Sequence, residues 1–184
     1  MMPLFLVRGV GEAFVTCDVM KAFVACIASH SAVGYVLFCA GCVVAFLHAF
    51  LSSVLRHINR VTVFGAATII QIGSTAIMIL WKPVKDDQAV LYVIAASWKM
   101  ADTIWMALCQ SAVYRNFPDR WEAPFALYYL CTSLGLSFGY AFCPYGCFRY
   151  KLYSYSFLYI AAVLPFALTE IKFEKNQRDL TMNK

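Results

Sequence analysis

Charge is what this chain has least of. Asp, Glu, Lys and Arg make up 14% of its 184 residues, where a soluble domain carries about 25%. The stretch Val61–Trp81 has 21 residues and no charge at all. That scarcity excludes an ordinary soluble globule and a disordered polar chain. Motifs of chemistry are missing as well: there is no phosphate-binding glycine loop, no nucleophile elbow and no H-E-x-x-H, so the sequence does not read as an enzyme. Cys39 and Cys42 form a C-x-x-C, but no second ligand pair follows, so zinc is not expected and no cofactor is implied. Both read as small residues buried in an apolar helix. His48 lacks a histidine or carboxylate at ligand spacing and reads as a packed or interfacial residue. The N-terminal apolar stretch is short, is cut by Arg8 and has no basic region before it; it does not read as a cleaved signal peptide.

What is present is apolar residue in quantity: 62% hydrophobic, with a mean hydropathy of +0.68. The apolar runs recur about every thirty residues, separated by short polar knots, which is the pattern of a polytopic helical membrane protein. Six spans are expected, near 2–17, 31–52, 61–81, 89–112, 124–143 and 152–169. The expected fold class is all-α, a membrane helix bundle over 1–170, followed by a polar, disordered tail over 171–184. The fifth helix is expected to begin near Ala123–Phe125, because Pro124 is tolerated in a first turn and the carboxylates of Asp119 and Glu122 favour a helix N-terminus.

The formal net charge of +5 does not point to nucleic acid, because the basic residues sit at span ends. Arg56, Arg60, Arg115, Arg120, Lys172, Lys175, Arg178 and Lys184 fall on one side, and Lys21, Lys82, Lys85, Arg149 and Lys151 on the other. Eight against five favours the first set as cytoplasmic, with both termini on that side. Cys143 and Cys147 flank Pro144-Tyr145-Gly146, a turn that could carry a local disulfide in an oxidising compartment.

The most informative residues are the few charges inside the spans. Lys99 and Asp102 lie within the apolar run from Ala89 to Cys109. Intramembrane charges cost roughly 2.5–3.5 kcal/mol each on insertion scales and face a bundle interior or a water-filled cavity. Three apart, these two share a helix face and can neutralise each other. Trp98 and Trp105 lie on the same general side and are expected to line the same cavity or to face a partner. Arg8 and Glu12, four apart, can pair likewise. Gly135 and Gly139 form a G-x-x-x-G, the spacing at which helix backbones approach closely in lipid, and read as intramolecular packing.

Four stretches together resemble a known family. The first runs from Ala101-Asp102-Thr103-Ile104-Trp105 through Phe117-Pro118-Asp119-Arg120-Trp121-Glu122-Ala123-Pro124-Phe125-Ala126 to Ser133-Leu134-Gly135. The others are Gly9-Val10-Gly11-Glu12-Ala13-Phe14, then Ser52-Ser53-Val54 with Asn59-Arg60, and Leu80-Trp81-Lys82-Pro83. In this order they resemble the C-terminal half of the uncoordinated-ninety-three-like (Unc-ninety-three) family, a branch of the major facilitator superfamily. Asp102, Trp105, Glu122, Phe125, Gly135 and Arg60 match the family by position. Ser52 and Asn59 replace the glycines of the superfamily loop, Val44 replaces an aspartate, Lys99 a glycine and Tyr129 an arginine. The resemblance implies half of a major-facilitator-type fold. It implies a non-enzymatic membrane accessory protein that regulates potassium channels or escorts membrane receptors. The alternatives are half of a secondary transporter and a fragment of a longer twelve-span protein. The expected partners are the lipid bilayer and another membrane protein, an ion channel or a second six-span half.

Overall fold

The computed structural model describes the backbone of residues 2–25, 30–57, 59–81, 88–117, 120 and 122–182. It describes the side chains of residues 2–21, 32–51, 59–81, 89–117, 120 and 122–168. Lys82, Pro83, Pro118, Asp119 and Trp121, and the side chains of Ser52, Ser53, Val54, Arg56 and the polar tail, lie outside these residues.

Among the described residues every element is helical: α1 is Met2–Ala13, α2 His30–His57, α3 Arg60–Leu80, α4 Gln88–Asn116, α5 Glu122–Phe142 and α6 Phe148–Met182. The chain is an all-α membrane helix bundle. Four stretches, Ala32–Leu51, Arg60–Leu80, Glu122–Phe142 and Phe148–Leu168, are long and apolar enough to cross a membrane, since about 20 residues span the hydrocarbon core. The first helix is longer than the expected 2–17: α1 passes without a break into a π-helical stretch, Phe14–Ala25. The last is longer too. Its backbone stays helical past Pro165 and through the polar stretch to Met182.

The helix starts follow local chemistry. The Asn59 carbonyl accepts the amides of Thr62 and Val63 at 3.0 and 3.2 Å and opens α3. α4 stops at Asn116 and α5 starts at Glu122, so Pro124 falls in the first turn of α5, where its missing N–H costs nothing. Gly146 closes the turn between α5 and α6 at φ 81°, a left-handed conformation that glycine takes without a Cβ clash.

α1 packs chiefly along α5, and α4 packs against α2 and α3. The α1–α5 contact is backbone on backbone. A Cβ at Gly135 would collide with the Leu6 carbonyl, and one at Gly9 with the Thr132 carbonyl. A Cβ at Gly139 would meet that of Ala13. The glycine spacing thus serves packing within the chain, the use small residues have wherever helices must meet without large apolar side chains between them.

Candidate functional site

The charges singled out within the apolar runs of α1 and α4 converge where the two helices meet. Arg8 Nη2 donates to Asp102 Oδ2 at 3.1 Å, and Arg8 Nε lies 3.1 Å from Oδ1. The guanidinium thus holds the carboxylate by one hydrogen bond, from Nη2, and by close charge contact at Nε, whose own N–H is left without an acceptor. Arg8 Nη1 donates to the Tyr128 hydroxyl on α5 at 3.0 Å. Lys99 Nζ reaches Glu12 Oε1 at 3.4 Å, and Glu12 lies 4.0 Å from Arg8. Of the two partnerships expected within single helices, Arg8–Glu12 persists as a long 4.0 Å contact, and the shorter contacts of Arg8 and Lys99 cross between helices. Helical spacing brings Arg8 near Glu12 and Lys99 near Asp102, but docking α1 on α4 offers each charge an opposite one across the interface.

The network is graded in burial. The Arg8 and Asp102 side chains keep 11% and 15% of their surface, Lys99 17% and Glu12 33%. One charge pair is thus nearly enclosed, and the other is open chiefly at Glu12. Lys99 and Gln110 are eleven apart on α4, which at 3.6 residues per turn puts them within about 20° of each other. Gln110 Nε2 meets the Tyr129 hydroxyl of α5 at 3.5 Å, in an exposed position. Glu12–Lys99 and Gln110–Tyr129 are two partly open polar contacts on one side of α4, separated by buried Thr103 and by Met106.

Behind the network lies a cavity of about 20 Å³ lined by Arg8, Asp102, Gln71, Trp98, Trp105 and Tyr155, among others. That is room for about one water. Gln71 Nε2 points to the Tyr155 hydroxyl at 3.5 Å, and a Cβ at Gly11 would strike that same phenol. Trp98 and Trp105 are buried at 2% and 4%. They line this cavity inside the chain's own core rather than standing at its surface. Trp98 packs 5.3 Å from the ring of Tyr155, and Trp105 packs edge-on to Phe64 at 5.1 Å. Such aromatic pairs contribute about 0.5–1.5 kcal/mol beyond area burial.

The remaining residues singled out in the sequence lie apart from this cluster. Arg60 donates to the Ser111 hydroxyl and ties the start of α3 to the end of α4. Glu122 is exposed in the first turn of α5. Phe125 packs against the core from the same helix. Gly135 and Gly139 belong to the α1–α5 seam. Cys39 and Cys42 are exposed, not buried, because α2 turns that face away from the bundle. His48 is exposed too, with its ring Nδ1 2.9 Å from the Val44 carbonyl. Among the described residues no group of three His, Cys, Asp or Glu stands ready to hold a metal.

The cysteine pairing also differs from the local one. The disulfide joins Cys17 to Cys143, 126 positions apart, with Cα atoms 6.3 Å apart, and Cys147 is free and exposed. Beside it Lys151 Nζ donates to Asp18 Oδ1 at 2.6 Å and to the Cys143 carbonyl at 2.7 Å. Sequence reasoning missed Asp18, Lys151, Gln71, Tyr128 and Tyr155. One signal was available: Gln71 is the single amide side chain in the otherwise uncharged third span.

Comparison with known proteins agrees with the resemblance read from the motifs. The chain is 28% identical over 170 residues to the protein unc-93 homolog A of Xenopus laevis, covering 92% of this chain and 37% of that one. It is 24% identical over 176 residues to unc-93 homolog A of Homo sapiens, covering 96% of this chain and 38% of that one. Against unc-93 of Caenorhabditis elegans, provisionally named as a potassium channel regulatory protein, it is 26% identical over 143 residues, 77% of this chain and 20% of the other. No family model and no solved structure matches. The chain is similar to unc-93 homologs over most of its own length, and it spans little more than a third of the homolog A proteins it matches.

Proposed function

We propose that this chain is a non-enzymatic membrane accessory module that regulates an ion channel of the potassium-selective class through contacts within the bilayer. The observation that carries this reading is the divided charge network. Arg8 and Asp102 neutralise each other in a cavity of about 20 Å³, which leaves no room for a solute. Glu12–Lys99 and Gln110–Tyr129 stay partly open on a helix face that lipid cannot satisfy, so that face is suited to another membrane protein or the missing remainder of a longer chain. The named relative supplies only the class of partner.

Coexpression of the chain with potassium channel subunits tests the proposal. A tagged chain should co-purify with a channel subunit and change its current, and Glu12→Gln with Lys99→Gln should weaken both. Saturable solute uptake into vesicles holding the purified chain alone would replace this reading with the transporter one.

The topology belongs to the same proposal. The turn at 143–147 is placed on the extracellular or lumenal side and both ends of the chain in the cytoplasm. The charge bias of the span ends supports this, and so does the disulfide, which persists in oxidising compartments. In sealed microsomes, whose outer face is the cytoplasmic one, a membrane-impermeant maleimide should label Cys147 only after the membrane is opened. Labelling of Cys147 in the sealed vesicles would invert the orientation.

A further inference from the structure

A second cavity lies well away from the charge network. It is an open groove of about 260 Å³ between α1 with its π-helical continuation, α5 and α6. Its walls are Val10, Phe14, Phe138, Phe142 and Leu158, and its polar end is the pair Asp18–Lys151. Phe138, Phe142 and Leu158 are exposed on two helices apolar enough to cross a membrane. The groove therefore opens sideways into lipid. The polar end sits at the level of Phe142, where α5 finishes, and of the first turns of α6, which is the membrane edge. From there the groove runs inward about 10 Å, the seven residues from Lys151 to Leu158, which is roughly two-thirds of a leaflet. At its floor, Gly139 and Ala13 bring α5 and α1 together.

We propose that this groove binds a sterol. Its occupant must be apolar along its length with one polar group at the membrane edge. The charge at that edge decides the kind of group. Lys151 is committed to Asp18 at 2.6 Å and to the Cys143 carbonyl, so the pair lining the groove is neutral. An anionic phosphate would compete with Asp18 for the ammonium and be repelled by the carboxylate. A hydroxyl fits: it donates to Asp18 and accepts the remaining N–H of Lys151. The flanking rings are aromatic; Phe14 stacks on Tyr155 at 5.7 Å with the planes 2° apart, and flat rings suit a rigid, flat ligand. The chain order Lys151, Tyr155, Leu158 also follows the basic–aromatic–aliphatic pattern linked with sterol contact, a weak signal by itself. The proposal rests on none of the channel reading above.

The test is photolabelling of the full chain in membranes with a diazirine-bearing cholesterol analogue, mapped by peptide mass spectrometry. Label should appear on peptides holding Phe138 or Leu158 and be suppressed by excess cholesterol. An analogue without the 3β-hydroxyl should label less. Leu158→Trp, which fills the groove from its lipid side, should cut labelling about tenfold, a loss of about 1.4 kcal/mol in binding. Membrane yield and the Cys17–Cys143 bond on non-reducing gels should stay unchanged; if that variant does not reach the membrane, Ser154→Trp is read in its place. Labelling that maps elsewhere, that ignores the Trp variant, or that a photoactivatable phosphatidylcholine reproduces at the same peptides overturns the proposal.

Discussion

α4 and α5 are neighbouring helices with opposite distributions of polarity. α4 carries Lys99, Asp102, Thr103 and Gln110, and much of its length is buried: Leu91, Ile94, Trp98, Ala101, Trp105 and Cys109 all keep less than a tenth of their surface. α5 carries one charge, Glu122 at its very start, and of its described side chains only Tyr128 and Gly135 are buried. The more polar helix is inside and the more apolar one outside. In water the order would be reversed. In a bilayer the solvent is itself apolar, so Leu130, Leu134 and Phe138 gain nothing by leaving it, whereas Asp102 must find Arg8. The same contrast explains why α4 is not among the four helices that pass as spans on composition alone: its surroundings are protein.

Substitutions along the two helices should separate them. The largest effect is expected at Asp102→Ala, which strands Arg8 in the core; removing one partner of a buried pair costs about 3–5 kcal/mol. The folded fraction in detergent, followed by fluorescence-detected size exclusion during heating, should fall sharply. Replacing both partners, Arg8→Met with Asp102→Leu, should recover most of it. A single variant as stable as the parent would mean that the pair is not enclosed. Next comes the α1–α5 seam. Gly135→Leu forces a side chain against the Leu6 carbonyl, and overpacking of this kind costs about 1–3 kcal/mol. Gly73→Ala, inside α3 where an added Cβ meets nothing, is the control for glycine loss itself, and its effect should be the smaller in the same assay.

Smaller effects belong to the open half of the network. Glu12→Gln removes a partner of Lys99 at a third of full side-chain exposure, and exposed pairs contribute about 0.2–1 kcal/mol. Stability should hardly change, while any channel association should weaken. A loss of stability as large as that of Asp102→Ala would show that the two pairs act as one unit. The smallest effect is expected at Leu134→Ala on the outer face of α5, within about 0.5 kcal/mol of the parent. If Leu134→Ala matches Gly135→Leu, α5 is covered by protein and the comparison with α4 fails.

Much of this was written in the chain. Apolar runs of the right length placed all six helices to within a few residues, except that the first and last run further than their apolar parts. Pro124 and Glu122 marked the start of α5, and the spacing of Gly135 and Gly139 marked a close helix contact. These features are local, and 3.6-residue periodicity, first-turn chemistry and side-chain size depend on neighbours in sequence alone.

The sequence by itself settled that this is an all-α membrane protein with a few charges inside its apolar runs, because composition and run length answer to the solvent and not to the fold. Only the tertiary structure decided who pairs with whom. Arg8 and Glu12, like Lys99 and Asp102, look self-sufficient at helical spacing, and Cys143 and Cys147 look like partners across a turn. Docking α1 between α4 and α5 brought Asp102 to Arg8 and Glu12 to Lys99, and closure of the bundle brought Cys17 to Cys143. In a low-dielectric interior the distance and geometry of opposite charges decide the pairing, and those are set across helices rather than along them.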